Sequence, residues 1–494
     1  MAFLPELVLL LGALGLFGLS LGEARGCAAR RSALGVAAAT ILAALAAFGQ
    51  DGVLFDGAYR VDAFSQLLKL LIAGGFLLVL LLGGDLPDIP VEVKPEYHLF
   101  LTLSVCGLTL LVSCVDVITL FVALELAAFP LYFLVAMRRE RAGQRVQMES
   151  AIKYLLFGVS ANGLMLFGLS YLYGLTGTTS LPVMVPKLAE NLASPAAIAG
   201  LALTFCGLFY KLAVFPFHFW TPDVYQGASN ETTGLVASLP KLGAVAVFVR
   251  FAALAAPEDR VLPAMFSVLA AASMFYGNLI ALAQTDLKRL LGFSGIAHAG
   301  YALVGFVALD AAGYSAALYY TAAYLFMALA CFAVLALLAP DGRNLALADL
   351  AGLHRRSPLL ALTLGVGVFG LAGIPPFAGF MGKLTLLTAA WAKGHFALVI
   401  LTVVNSAIAI YYYLVMAREA FFRDAPEAAP VRLRWPARVL CLSLIAVILA
   451  LGVAPGRFLE SLNSSLAWTR DAAANAGLSA TVLPVKQPQA PLRP

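Results

Sequence analysis

Lys211-Leu-Ala-Val-Phe-Pro-Phe-His-Phe-Trp-Thr-Pro-Asp-Val-Tyr-Gln-Gly-Ala228 sits inside an apolar segment running from Pro195 to Glu231. As one straight helix, that segment would be roughly 55 Å long, against a hydrocarbon core of about 30 Å. Pro216 lies near its middle. Proline lacks the N–H donor and clashes with the carbonyl four residues back. The segment therefore reads as a broken helix. A second segment of the same kind, Arg356 to Lys393, carries Pro375 and Pro376 near its middle. Five spans separate the two. Paired interrupted helices in corresponding positions point to an inverted-repeat transporter with its site near the midplane.

Composition agrees. The chain is 62% hydrophobic and 12% charged. Its mean hydropathy of +0.91 excludes an ordinary soluble domain. Apolar runs of membrane-spanning length recur throughout, and the ten-residue alternation of a large β-barrel is missing. The net charge of +5 comes from loop arginines without interleaved aromatics, so no nucleic-acid partner is expected. The six cysteines form no C-x-x-C, and the five histidines have no metal-binding spacing. No bound metal is expected. No Rossmann or P-loop motif stands in a strand–helix context, so no nucleotide is expected by those routes.

Run lengths predict an all-α polytopic membrane protein with about fourteen transmembrane helices. Odd-numbered loops hold roughly eighteen Lys/Arg, including Arg138, Arg139, Arg141 and Arg145, and even-numbered loops about five. The positive-inside rule then places the odd loops in the cytoplasm and both termini outside. The acidic loop Asp85 to Glu96 dissents, but acidic residues count little in the rule. The first apolar run, Phe3 to Leu21, has its arginines (Arg25, Arg30, Arg31) after it and is not expected to be a cleaved signal. The predicted organisation is a three-helix segment over 1–96 and two inverted five-helix repeats over 97–256 and 257–424. A last helix with a loose tail covers 425–494. Each repeat contains one proline-broken helix.

Lysines inside spans are expensive, at about 2.5–3.5 kcal/mol each near mid-bilayer. Lys69, Lys153, Lys211, Lys241 and Lys383 all fall in apolar stretches, and Glu125 lies similarly deep. A charge or proton pathway is the default reading of such groups. Desolvation favours a neutral amine, while a facing carboxylate favours the ammonium. Moving Glu125 toward or away from Lys211 would therefore make the lysine hold or release its proton. Lys383 occupies the second broken helix as the repeat counterpart of Lys211. Lys241, just after Pro240, suits either a relay or a snorkelling role. Lys153 follows Glu149 by four residues, so an ordinary interfacial pair competes with a relay. Lys69 lies about seven residues from Asp62, within reach of the outer surface by snorkelling. Histidine as a residue type titrates near neutrality, which makes His218 and His298 candidates for a proton relay; a core histidine bonded to a carbonyl is the simpler alternative.

These residues resemble a known family. The run from Lys211 to Ala228 resembles the broken seventh helix of the antiporter-like subunits of respiratory complex I. Its Pro-Asp-Val-Tyr favours the N branch over M and L. Further matches are Leu124-Glu-Leu126, Glu149-Ser-Ala-Ile-Lys-Tyr154, Leu239-Pro-Lys-Leu242, Asp286-Leu-Lys-Arg-Leu-Leu-Gly-Phe-Ser-Gly-Ile-Ala-His-Ala-Gly-Tyr301 and Gly373-Ile-Pro-Pro-Phe-Ala-Gly-Phe-Met-Gly-Lys383. They follow the family's order and cover nearly the whole chain.

The resemblance implies a proton-translocating subunit of bacterial NADH-quinone oxidoreductase in the inner membrane, with periplasmic termini. Glu125 and Lys211 would form a switching ion pair. Lys241 would be the central relay, and Lys383 would pass protons onward. Lys153, His218 and His298 would connect them through water. No redox site is expected in this chain; NADH, FMN, iron–sulfur clusters and quinone would belong to partner subunits. The implied partners are the antiporter-like subunits M and L, the small subunits K, J, A and H, the peripheral redox arm and the lipid bilayer. A subunit of a multi-subunit cation/proton antiporter or of a membrane-bound hydrogenase shares the fold. The Val-Tyr-Gln-Gly run, Lys383 and the length weigh against both. A solute transporter would show a roomier site with varied polar residues.

Overall fold

The computed structural model describes residues 1–22, 26–140, 145–189, 194–252, 261–424 and 429–466. Arg25, Arg141, the boundary at 256–257 and the tail beyond Ala473 lie outside these residues. The N-terminal layer comprises α1 (Leu4–Ser20), α2 (Gly26–Ala47) and α3 (Ala63–Gly83). A short antiparallel hairpin, β1 (Gly52–Leu54) with β2 (Tyr59–Val61), joins α2 to α3. Then follow α4 (Lys94–Leu111), α5 (Val117–Ala136), α6 (Val146–Thr176), the short α7 (Leu181–Ala189), α8 (Pro195–Leu212), α9 (Trp220–Gly227) and α10 (Asn230–Ala252). The second half holds α11 (Val261–Ala281), α12 (Leu287–Val304), α13 (Ala311–Leu338), the single turn α14 (Leu353–Arg356), α15 (Pro358–Ala372), α16 (Ala378–Ala392) and α17 (Phe396–Phe422). Helices α18 (Trp435–Val453) and α19 (Gly456–Ser465) close the described chain.

Among the described residues, eleven helices are long and apolar enough to cross a membrane. The chain is an all-α, multi-pass membrane protein. Both proline-marked segments are broken. The first divides into α8 and α9, the second into α15 and α16. Each first half ends in a left-handed residue, Ala213 at φ +65° and Gly373 at φ +84°. A Cβ on Gly373 would stand 2.9 Å from Lys383 Cδ, so glycine serves both the backbone and the packing there. Phe215–Pro216 and Pro375–Pro376 are both cis.

The same local devices occur in both halves. Asp116 caps α5, accepting from Ile118 N at 2.9 Å, and Asp286 caps α12, accepting from Arg289 N at 2.9 Å. A backbone bridge ties each cap to the loop after the next helix: Val117 N donates to Thr179 O at 2.8 Å, and Leu287 N to Leu345 O at 2.9 Å. Gly107 lets α4 close on Ala127 of α5, and Gly277 lets α11 close on Ala297 of α12. Small residues of this kind bring membrane helices into van der Waals contact.

Burial is graded from centre to rim. The spans of α10 and α13 are each 94% buried and that of α12 is wholly buried, against 33% for α2 and α18. The central helices are apolar on every side because protein surrounds them. Three of the buried polar groups considered next, on α10 and α12, therefore lie inside protein and not against lipid.

Candidate functional site

Two polar regions emerge. The first gathers around the break between α8 and α9. Lys211 stands one residue before the end of α8, and its Nζ is buried without a hydrogen-bond partner. It lines a cavity with Leu108, Leu124, Tyr154, Trp220 and Pro240 that offers about 20 Å³ to the centre of a water molecule. That is room for roughly one water. Glu125, on α5, lies within electrostatic range of Lys211. The two do not form an ion pair within 4.0 Å; Glu125 Oε1 instead accepts from the amide of Asn162 on α6. Trp220 Nε1 donates to Tyr210 O at 3.1 Å, and the indole stacks on Tyr154 at 4.6 Å. These contacts tie α9 to α8 and to α6.

His218 occupies the turn between α8 and α9. It is buried, and neither ring nitrogen has a hydrogen-bond partner. Phe215, Phe219 and Tyr276 enclose it, with Tyr276 at 4.2 Å. The carbonyl partner expected of a core histidine is not there.

The second region lies between α10, α12, α13, α16 and α17. Lys241 Nζ donates to Gly295 O at 3.0 Å and to Tyr324 Oη at 3.3 Å. His298 is held between two hydroxyls, Tyr320 at 2.6 Å on Nδ1 and Tyr413 at 2.9 Å on Nε2. Here too the partners are not carbonyls. A cavity of about 10 Å³ by the same measure touches Lys241, His298, Tyr320 and Tyr324. Lys383 Nζ donates to Ala372 O at 3.0 Å and lies 4.6 Å from the Tyr301 ring. Asn278 links Tyr301 to Tyr412 and Asn405, extending the polar path across α11 and α17. Lys211 and Lys383 do not occupy matching positions: the first precedes its break and the second follows its own.

Lys153 is set apart. Its side chain is 38% exposed and bridges Glu149 and Asp223, each at 2.7 Å. Asp223 also takes Arg289 of α12 at 2.8 Å. Lys153 therefore sits at the exposed surface in a four-residue network. Lys69 corrects the expectation of snorkelling. It is fully buried, with Nζ 3.0 Å from Glu6 Oε1 and 3.0 Å from Tyr59 Oη. Its helix turns it toward α1 and not toward the surface.

Sequence reasoning missed several participants. Asn162 is an amide deep in an apolar helix, a signal that was available. Tyr320, Tyr324 and Tyr413 carried none, because tyrosines are common in such helices. Lys288 is buried and donates to Ala228 O at 2.7 Å, below the end of α9. Its charge is hidden in the motif shared with Arg289. Among the described residues, no group of His, Cys, Asp and Glu could hold a metal ion.

The family described as NADH:quinone oxidoreductase/Mrp antiporter, transmembrane, matches residues 114–409. NADH-quinone oxidoreductase subunit N 2 of Opitutus terrae is 63% identical over 467 residues, covering 94% of this chain and 98% of its own. A chain of respiratory complex I from Thermus thermophilus, solved with bound aureothin, superposes with a TM-score of 0.79 at 33% identity, covering 93% of this chain and 99% of that one. A chain of the Mrp complex from Dietzia sp. DQ12-45-1b superposes at 0.85 with 22% identity, over 96% and 99%, a likeness of fold alone.

Proposed function

The chain belongs to the NADH:quinone oxidoreductase/Mrp antiporter transmembrane family, and from that membership we propose how its buried charges work. It is an antiporter-like, proton-translocating membrane subunit of NADH-quinone oxidoreductase, and thus part of an enzyme complex. The identity to subunit N relatives favours this over a cation/proton antiporter, whose likeness is in fold.

We infer that Glu125, Lys211, Lys241, His298 and Lys383 move the proton, with Lys153 and His218 at the entrance side. Lys211 is the switching group. Its Nζ has no fixed acceptor, and Glu125 is the charged group that acts against the cost of its burial. Glu125 near Lys211 favours the ammonium; Glu125 held by Asn162 favours release. The released proton passes to Lys241, then along the tyrosine-held His298 to Lys383. Lys153, with Asp223 and Arg289, collects protons at the cytoplasmic rim. The gaps between these groups exceed one hydrogen bond and need water to bridge them.

Fourteen spans, two inverted five-helix repeats over 97–256 and 257–424, and periplasmic termini in a bacterial inner membrane complete the proposal. The paired breaks, caps and backbone bridges support the repeats. NADH, FMN, iron–sulfur clusters and quinone belong to partner subunits, with M, L, K, J, A and H as membrane neighbours.

The observation that carries this reading is the row of intramembrane lysines, in which Lys211 faces the Glu125 carboxylate without touching it. Lys211→Ala should depress proton pumping and coupled quinone reduction in proteoliposomes while the complex stays assembled. Unchanged pumping would falsify the switching role.

A further inference from the structure

The Glu6–Lys69 pair lies outside the row assigned above. Glu6 is in the first turn of α1 and Lys69 in the second turn of α3, and both are fully buried. Lys69 Nζ stands 3.0 Å from Glu6 Oε1 and donates to Tyr59 Oη at 3.0 Å. That distance is within reach of direct proton transfer. Gln66, one turn before Lys69, has both amide atoms buried without a partner. Two buried charges stabilise a fold only when good geometry and further hydrogen bonds offset their desolvation. Tyr59 is the one hydrogen-bonding neighbour described at this pair, and Gln66 one turn away stays unpaired, so pinning α1 to α3 accounts for it only in part. Intramembrane ionisable groups left in that state are functional candidates.

Asp62 and Arg250 lie within electrostatic range of Lys69. Asp62 caps α3, and its Oδ2 lies 3.7 Å from Arg60 Nε, whose side chain is 44% exposed. The same oxygen lies 3.7 Å from Nη2 of Arg250, which is buried in the last turn of α10. Arg250 also donates to Val112 O at 2.9 Å. Lys241 is on the same helix, about 13 Å away. The remaining titratable groups that face the pair are Cys106 and Cys114, from α4 and the turn after it.

We propose that Glu6, Lys69 and Tyr59 form an additional proton-binding site, open to the membrane face at which α1 begins and felt by α10 through Asp62 and Arg250. It rests on the proton-translocating reading above. Loaded, the site holds the Glu6 carboxylate and the Lys69 ammonium. Release breaks one N–H bond on Lys69 and forms one O–H bond on Tyr59, whose own proton leaves to water at the Arg60–Asp62 rim. Uptake reverses the step, and no electrons move. The unloaded site leaves Glu6 uncompensated beside Asp62, which strengthens the pull on Arg250 and on the end of α10.

The test uses the whole complex in proteoliposomes, with protons moved per electron pair as the readout. Glu6→Gln combined with Lys69→Met removes both charges and leaves no lone buried ion. The expected result is an assembled complex with intact electron transfer and a reduced proton ratio. Tyr59→Phe keeps both charges and removes only the relay hydroxyl, and it should lower the ratio as well. Redox-triggered infrared difference spectra provide a second readout: a Glu6 carboxylate band, shifted as the charge on Lys69 changes, should vanish in Glu6→Gln. An unchanged ratio in Tyr59→Phe, with no band lost in Glu6→Gln, overturns the proposal whether or not the double variant assembles. Lys211→Ala is run alongside. Normal translocation in that variant counts against the underlying reading instead.

Discussion

Lys211 and Lys241 both keep their ammonium nitrogens away from solvent, yet their surroundings differ in kind. Lys241 is tied to a backbone carbonyl and a tyrosine, at 3.0 and 3.3 Å. Lys211 has no such tie and faces a carboxylate that it does not touch. Lys383 resembles Lys241, with the Ala372 carbonyl as its acceptor at 3.0 Å. A fixed neutral acceptor steadies a cation to the same degree at every moment. A carboxylate that can approach or withdraw does not. On the proposed reading, the first region changes proton affinity and the second holds and hands on what it receives.

Substitutions at four positions break or sharpen that contrast. Lys241→Met should have the largest effect, because it removes the relay and leaves Gly295 O and Tyr324 Oη facing a thioether. Pumping should fall about tenfold or more, roughly 1.4 kcal/mol or beyond, with assembly checked on native gels. Glu125→Gln should come next, with a loss of several-fold in initial pumping rate, while Glu125→Asp keeps the titrating group and stays nearer the parent. Equal losses in a proton-uptake assay would mean that charge at this position does not switch. Asn162→Leu frees Glu125 from its amide, so the ammonium of Lys211 should persist and turnover should slow, by about threefold for a hydrogen bond of ~0.6 kcal/mol. Tyr324→Phe should be the mildest, about twofold or less, because Gly295 O still holds Lys241. A Tyr324→Phe loss as great as that of Lys241→Met would show that the hydroxyl, not the lysine, carries the second region.

The broken helices were legible because Pro216 and the Pro375–Pro376 pair interrupt segments too long for one span. The lysines were legible because charge is rare in such stretches. Their partners were less so. The distance from Lys69 to Asp62 along the helix says nothing about the face it occupies, and its partner Glu6 comes from another helix near the start of the chain. Glu6 itself passed as part of an apolar run. His218 and His298 stood out as titratable, but neither has the carbonyl that a structural histidine would take, and only tertiary packing reveals the tyrosines around His298. Lys211 and Lys383 share a place in a broken helix, and only the helix ends show that they lie on opposite sides of the breaks.

The central claim is that Lys211 works through Glu125. A double-mutant cycle on proton-pumping rate measures this most directly, with Glu125→Gln, Lys211→Met and the double variant compared in the assembled complex. The account predicts strong non-additivity, with the double variant no slower than the worse single. Losses that multiply independently would contradict it.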